Sequence, residues 1–225
     1  MAAINFDIQR TFFDLPTDEN SNIDQAEFLA NFSREGRLTW HQLLESERIL
    51  IVSEAGVGKS YECQRQQRQL WDEGESAFFV ELAVLATDSL ESQFSVEEKD
   101  RFDSWRSAQT EHATFFLDSI DELKLTQRSF ELTLKRFATA LSGHLDRARI
   151  VLTTRPIAID RELVRKWLPV QSPMEVFVPE TYFANVAMQI GVKSDKVNTS
   201  NAPLWRFVAL SPLNEQQMHV LATAE

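Results

Sequence analysis

A chain of 225 residues with 43% hydrophobic content is long enough to bury one large sheet under helices, so a single domain is expected. A formal net charge of −11, with no run of Lys or Arg, argues against direct nucleic-acid binding, which needs clustered cations. The single cysteine, Cys63, argues against disulfides and cysteine-based metal binding; no long apolar run or basic-then-apolar opening marks a membrane span or secretory signal, and a reduced cytoplasmic setting is expected.

Residues 1–37 are mixed, with Phe6, Phe12, Phe13 and Leu15 before Pro16 and a polar turn from Thr17 to Asn22. They read as a lead-in packed on the core or as a linker from a preceding domain. Thr39 with Gln42 forms a capping box for a helix over Trp40 to Glu45.

The apolar run Ile49-Leu50-Ile51-Val52 predicts a buried parallel strand. It feeds Ser53-Glu54-Ala55-Gly56-Val57-Gly58-Lys59-Ser60, the strand-loop-helix context of a phosphate-binding loop. Glycines permit positive backbone dihedrals and close approach, so successive N–H groups and the next helix's N-terminus can face phosphate oxygens. Glu54, Ala55, Gly56, Val57, Gly58, Lys59, Ser60 and Tyr61 are the candidate nucleotide-binding residues. Lys59, solvent-facing in an empty site, reaches the terminal phosphates, and Ser60 ligates Mg²⁺. Ser53 stands where the usual pattern has its first glycine, which loosens the loop although a small residue still fits. The competing reading is an ordinary strand-turn-helix. The helix is expected to run to about Glu73, with Gly74 as its stop.

Ala77–Leu82 reads as a second strand, and the polar stretch after it holds a capping box, Ser95 with Glu98. Phe102 and Trp105 give that stretch one apolar face, assigned to the core. Next, Thr114-Phe115-Phe116-Leu117 runs into Asp118, which falls at a strand's C-terminal end where a carboxylate can hold Mg²⁺ through water. Asp121 and Glu122 follow closely enough for one to orient or deprotonate an attacking water. Alternatively, these acids simply form a turn.

Phe130, Leu134, Phe137 and Leu141 recur at helical spacing, predicting a sheet-packed helix over Thr126–Leu141 that Gly143 ends. Arg149-Ile150-Val151-Leu152 enters Thr153-Thr154-Arg155-Pro156, where proline stops the strand and leaves Arg155 at the sheet's carboxyl edge. A guanidinium there can bond a γ-phosphate, or pair with the acidic turn. Val176–Val178 is a short strand or edge, Arg206–Leu210 the last strand, and Asn214 a helix start. His41, His112, His144 and His219 lack metal-ligand spacing. Val192-Lys193-Ser194-Asp195 is similar to a guanine-reading motif but lacks its leading Asn or Thr, so ATP is favoured over GTP. No Gly-x-Ser-x-Gly elbow supports a serine nucleophile.

These elements together resemble the NACHT group of STAND ATPases, in the additional-strand branch of P-loop proteins. The resemblance rests on Glu54–Ser60, Leu117-Asp118-Ser119-Ile120-Asp121-Glu122 and Thr153-Thr154-Arg155-Pro156, flanked by Leu38–Leu44 and Phe207–Gln217. It covers roughly residues 38 to 217. Ser119 replaces a common glycine, with little expected effect.

Strand-helix alternation predicts a three-layer α/β fold with a mostly parallel, five-stranded sheet. The resemblance implies that the sensor strand lies between the phosphate-loop strand and the magnesium strand. It also implies a P-loop NTPase domain over 38–213 and a following helical region that 214–225 only begins, as if the chain were a fragment. The implied activity is ATP binding with slow hydrolysis, used as a switch. Lys59, Arg155 and Asp121 or Glu122 supply the site chemistry, and Ser60 and Asp118 hold the metal. Implied partners are ATP or ADP, further copies in a homo-oligomer or domains on a longer chain, in antiphage defence or innate immunity, with no membrane. Two alternatives stand beside it: a nucleotide-stabilised scaffold without turnover, and an AAA-type ATPase.

Overall fold

The computed structural model describes residues 9–15, 37–118, 127–155, 161–170, 203–213 and 217–218. Strands β1 (Phe12–Asp14), β2 (Arg48–Val52), β3 (Ser76–Glu81), β4 (Ala113–Asp118), β5 (Ala148–Thr154) and β6 (Trp205–Leu210) form one sheet in the order β1-β6-β2-β5-β4-β3. β6, β2, β5, β4 and β3 run parallel, and β1 closes one edge antiparallel to β6. The sheet therefore has six strands among the described residues, not the expected five. The sixth, β1, is a three-residue strand in the opening segment, too short for period-2 alternation to reveal.

Alternation along the strands sends successive side chains to opposite faces, and both faces are covered. Ile49, Ile51, Phe116, Val151 and Val208 pack under helices α1 (Trp40–Leu43) and α2 (Lys59–Asp72) through Trp40, Leu43, Cys63 and Leu70. Leu50, Phe115, Leu117, Ile150 and Leu152 face the other way. There they meet α4 (Val96–Ser107), α5 (Gln127–Ala140) and α6 (Arg161–Trp167), with a short α3 (Leu82–Leu85) beside them. Helices above and below one mostly parallel sheet make a three-layer α/β architecture.

Both capping boxes form: Thr39 with Gln42 starts α1, and Ser95 with Glu98 starts α4. α1 ends at Leu43, two residues short of the expected Glu45. Phe102 and Trp105 are buried in an aromatic cluster with Phe78 and Phe115, which accounts for them as core. Phe12 of β1 meets Trp40 edge to face with centroids 4.7 Å apart, and its backbone exchanges hydrogen bonds with Leu38.

One buried cation sits at the sheet end away from the candidate site. Arg48, 2% exposed, donates to the carbonyls of Glu47, Leu145, Ala148, Leu168 and Pro169, tying β2 to β5 and to the end of α6. Burial pulls its pKa down to about 10, with Glu47 acting in the other direction. The readings placed on Val176–Val178, on Val192–Asp195 and on a helix start at Asn214 lie outside the described residues, as does His219.

Candidate functional site

β2 delivers the chain to the carboxyl edge of the sheet, where open α/β sheets bind ligands. The loop from Ser53 to Gly58 then turns into α2. Gly56 and Gly58 have φ of +77° and +89°, a region that side chains with a Cβ adopt only under strain. Gly58 is the N-cap of α2, and the first bond of the helical ladder runs from Glu62 N to Gly58 O. The N–H groups of Lys59, Ser60 and Tyr61 come before that bond and lie outside the helical ladder, at the positive end of the helix dipole.

Lys59 is only 9% exposed, contrary to the expected solvent-facing lysine. Its ammonium donates to Ser53 O at 2.7 Å and Glu54 O at 2.8 Å. The first helical residue thus folds back under its own loop, because carbonyls there offer a buried cation the acceptors it needs. Ser60 is half-buried and Tyr61 half-exposed at the helix start.

Ser53 fastens the loop, where loosening was expected. Its hydroxyl donates to Val52 O at 2.6 Å and accepts Leu210 N at 2.9 Å, while its own N–H donates to Thr154 O at 3.1 Å. A glycine could not make the side-chain bond to β6.

Asp118 ends β4 and is buried, and Thr153 of β5 donates its hydroxyl to Asp118 Oδ1 at 2.7 Å. β5 lies between β2 and β4, so the strand bearing Thr153 separates the loop strand from the strand bearing Asp118. Arg155 is exposed one residue beyond the Val52↔Thr154 pair, abreast of Ser53. Asp121 and Glu122 lie outside the described residues.

Cys63 sits four residues past Lys59 on the buried face of α2. Burial first, then the charges of Asp118 and Glu62, push its thiol pKa well up, with Lys59 pulling the other way. The protonated thiol is therefore a packing group. Beside it, Glu62 is 3% exposed and accepts from Trp40 Nε1 at 2.8 Å and Arg65 Nη2 at 2.7 Å.

Arg10 joins the site unannounced by sequence. Its guanidinium reaches Val57 O in the loop, across 47 positions of chain, and no local pattern signals such a contact. Thr153 did carry a signal: a hydroxyl at the carboxyl end of an apolar strand, two residues past Val151 and so on the same face.

A cavity of about 840 Å³ opens between α1 and α2, lined among others by Trp40, His41, Glu45, Gln66 and Glu73. Its lining includes Arg10 but neither Lys59 nor Asp118. No group of three potential His, Cys, Asp or Glu ligands occurs among the described residues, and no described helix is long and apolar enough to cross a membrane.

A hydroxyl at Ser60 and a carboxylate at Asp118 suit Mg²⁺, which keeps several waters and takes phosphate oxygens instead of an all-protein cage. The left-handed glycines and the N-terminal donors of α2 suit a polyphosphate. These donors fit the groups that the sequence pattern implied. No family model matches the chain, and no curated protein matches it.

Proposed function

We propose that this chain binds ATP with Mg²⁺ at the Ser53–Tyr61 loop and hydrolyses it slowly, serving as a nucleotide-controlled switch of the NACHT type. The observation that carries this reading is a convergence. A glycine-turned loop with Lys59 beneath it and a buried carboxylate, Asp118, end two strands at one sheet edge, with β5 between them.

In this reading the backbone donors of Gly58 to Tyr61 and the Lys59 ammonium hold the β- and γ-phosphates. Ser60 and Asp118 would hold Mg²⁺, which neutralises charge developing on the transferred phosphoryl group. Thr153 fixes the rotamer of Asp118 by donating to one carboxylate oxygen. The other carboxylate oxygen would then be the one to hold the metal through water. Asp121 or Glu122 takes the proton of the attacking water, and Arg155, abreast of the loop, meets the γ-phosphate. Positioning and electrostatics, with little covalent chemistry by the protein, are what phosphoryl transfer requires.

The switch biology extends the proposal: a cytoplasmic homo-oligomer, or a module within a longer receptor, acting in antiphage defence or innate immunity. The scaffold reading shares the binding site and differs only in turnover.

Calorimetric titration of Mg²⁺ and ATP into the wild-type chain and Lys59→Ala tests the reading. Binding by the wild type and its loss in the variant are expected. Equal affinity in both would remove the nucleotide site. Lys59→Met, which keeps the buried stem, separates loss of the ammonium from loss of packing.

A further inference from the structure

Arg10 stands just before β1, and its side chain makes two bonds that join distant parts of the chain. Nη1 donates to Val57 O at 3.1 Å, and Nη2 donates to Ser211 O at 2.6 Å, at the exit of β6. Three further bonds bind the same places together. Ser211 N donates to Thr11 O at 2.9 Å, Leu210 N donates to the Ser53 hydroxyl at 2.9 Å, and Gln217 Nε2 donates to Gln9 O at 2.8 Å.

The Val57 bond bears on the loop's chemistry. In a trans peptide the C=O and N–H point to opposite sides, and no described peptide bond here is cis. Holding Val57 O toward Arg10 therefore turns the Gly58 N–H to the other side of the loop. Gly58 has φ +89° and caps α2, so its peptide plane sets where the helix's first donors begin.

The bond is also an expensive way to build stability. Arg10 is 9% exposed, and burial lowers its pKa, with Glu62 raising it and Arg65 lowering it further. Nη1 and Nη2 donate to carbonyls, while Glu62 is engaged by Trp40 and Arg65. A buried cation bonded to carbonyls is weak as a stabilising device, since an apolar residue of similar volume often does as well.

We infer that Arg10 is a positioning residue for polyphosphate binding: it holds the Val57–Gly58 peptide in its anion-facing orientation and ties that orientation to the chain leaving β6 at Ser211. Occupancy of the loop and the ordering of the β6 exit are thereby coupled, in both directions, as linkage requires. The inference rests on the nucleotide reading of the loop and adds to it a route by which phosphate contacts reach the chain beyond the sheet.

The test uses the full chain with Arg10→Met, Arg10→Lys and Lys59→Ala. ATP and ADP affinities are measured together with amide hydrogen exchange over residues 205–213, with and without nucleotide. Arg10→Met should weaken ATP and ADP alike, by about tenfold, the scale of one charge-assisted bond. It should also abolish nucleotide-dependent protection over 205–213. Arg10→Lys, which keeps the charge but bonds one carbonyl at a time, should lose that protection while retaining more affinity. A role in stability alone would lower the melting temperature and leave the protection change intact.

Wild-type binding, with Arg10→Met within twofold of wild type and an unchanged protection pattern, would overturn the inference and leave the nucleotide site standing. If Arg10→Met does not fold, the same result in Arg10→Lys overturns it. Wild type that fails to bind, or Lys59→Ala that binds equally well, overturns the nucleotide reading and this inference with it.

Discussion

The Thr153 hydroxyl lies 2.7 Å from Asp118 Oδ1, so two adjacent strands of the sheet end in a single buried polar pair. Both side chains face α2 at the carboxyl edge, and the pair sets the orientation of the candidate magnesium carboxylate. Thr153→Val keeps shape and strand preference but removes the donor, leaving a buried acceptor short of one partner. That should cost about 1 to 3 kcal/mol. The melting temperature should fall by roughly 2 to 12 °C for a domain of this size. Mg²⁺-dependent ATP affinity should fall as well, and Thr153→Ser should recover most of both. A Thr153→Val protein that melts and binds like wild type would show that the hydroxyl positions nothing.

Turnover separates the switch from the scaffold. Asp118→Ala should lose Mg²⁺-dependent binding or hydrolysis, while Glu122→Gln should keep binding and slow hydrolysis by about a hundredfold or more, the usual cost of losing an acid-base group. Phosphate release is measured against the Lys59→Ala control. Wild type indistinguishable from that control favours the scaffold.

Arg155 follows the Val52↔Thr154 pair at the end of β5 and is exposed, which suits a contact made only when a γ-phosphate is present. A charge-assisted bond present with ATP and absent with ADP gives a differential of about 1.5 to 3 kcal/mol. Arg155→Ala should therefore weaken ATP by tenfold or more and leave ADP nearly unchanged. Equal losses for the two nucleotides would reduce Arg155 to a surface ion pair, with an effect of about 0 to 1 kcal/mol. The contrast with Arg10→Met, for which equal losses are the expectation, distinguishes a γ-phosphate sensor from a residue that shapes the loop.

Cys63 gives a pH signature. Its folded pKa is raised, first by burial and then by Asp118 and Glu62. Below about 8.5, the ordinary thiol value, the thiol is protonated in both states and adds no pH dependence. Above it the unfolded chain loses the proton that the native state keeps, so stability falls as pH rises, by at most about 1.4 kcal/mol per unit. Denaturant titrations from pH 8 to 10 should show this extra slope in wild type and not in Cys63→Ala. Alkylation of the native thiol should also be far slower than in denaturant, and equal rates in both would contradict the buried, protonated thiol.

The strand readings over 49–52, 77–82, 114–117, 149–152 and 206–210 marked five of the six described strands without any tertiary information, because strands buried on both faces carry near-continuous hydrophobic runs. The two capping boxes were equally legible, since their partners sit three residues apart. Local pattern also placed the glycines of the loop and Asp118 at strand ends. Only the tertiary structure decided what those residues touch. Lys59 turns back onto Ser53 O and Glu54 O, where the sequence suggested a lysine open to solvent. Ser53 reaches Leu210 across 157 positions, and Arg10 reaches Ser211 across 201. The physical reason is range. Propensity, capping and periodicity act within a few residues of chain, whereas the partners of buried polar groups are set by which strands become neighbours, and here an opening segment and a closing strand meet beside a loop that lies between them in sequence.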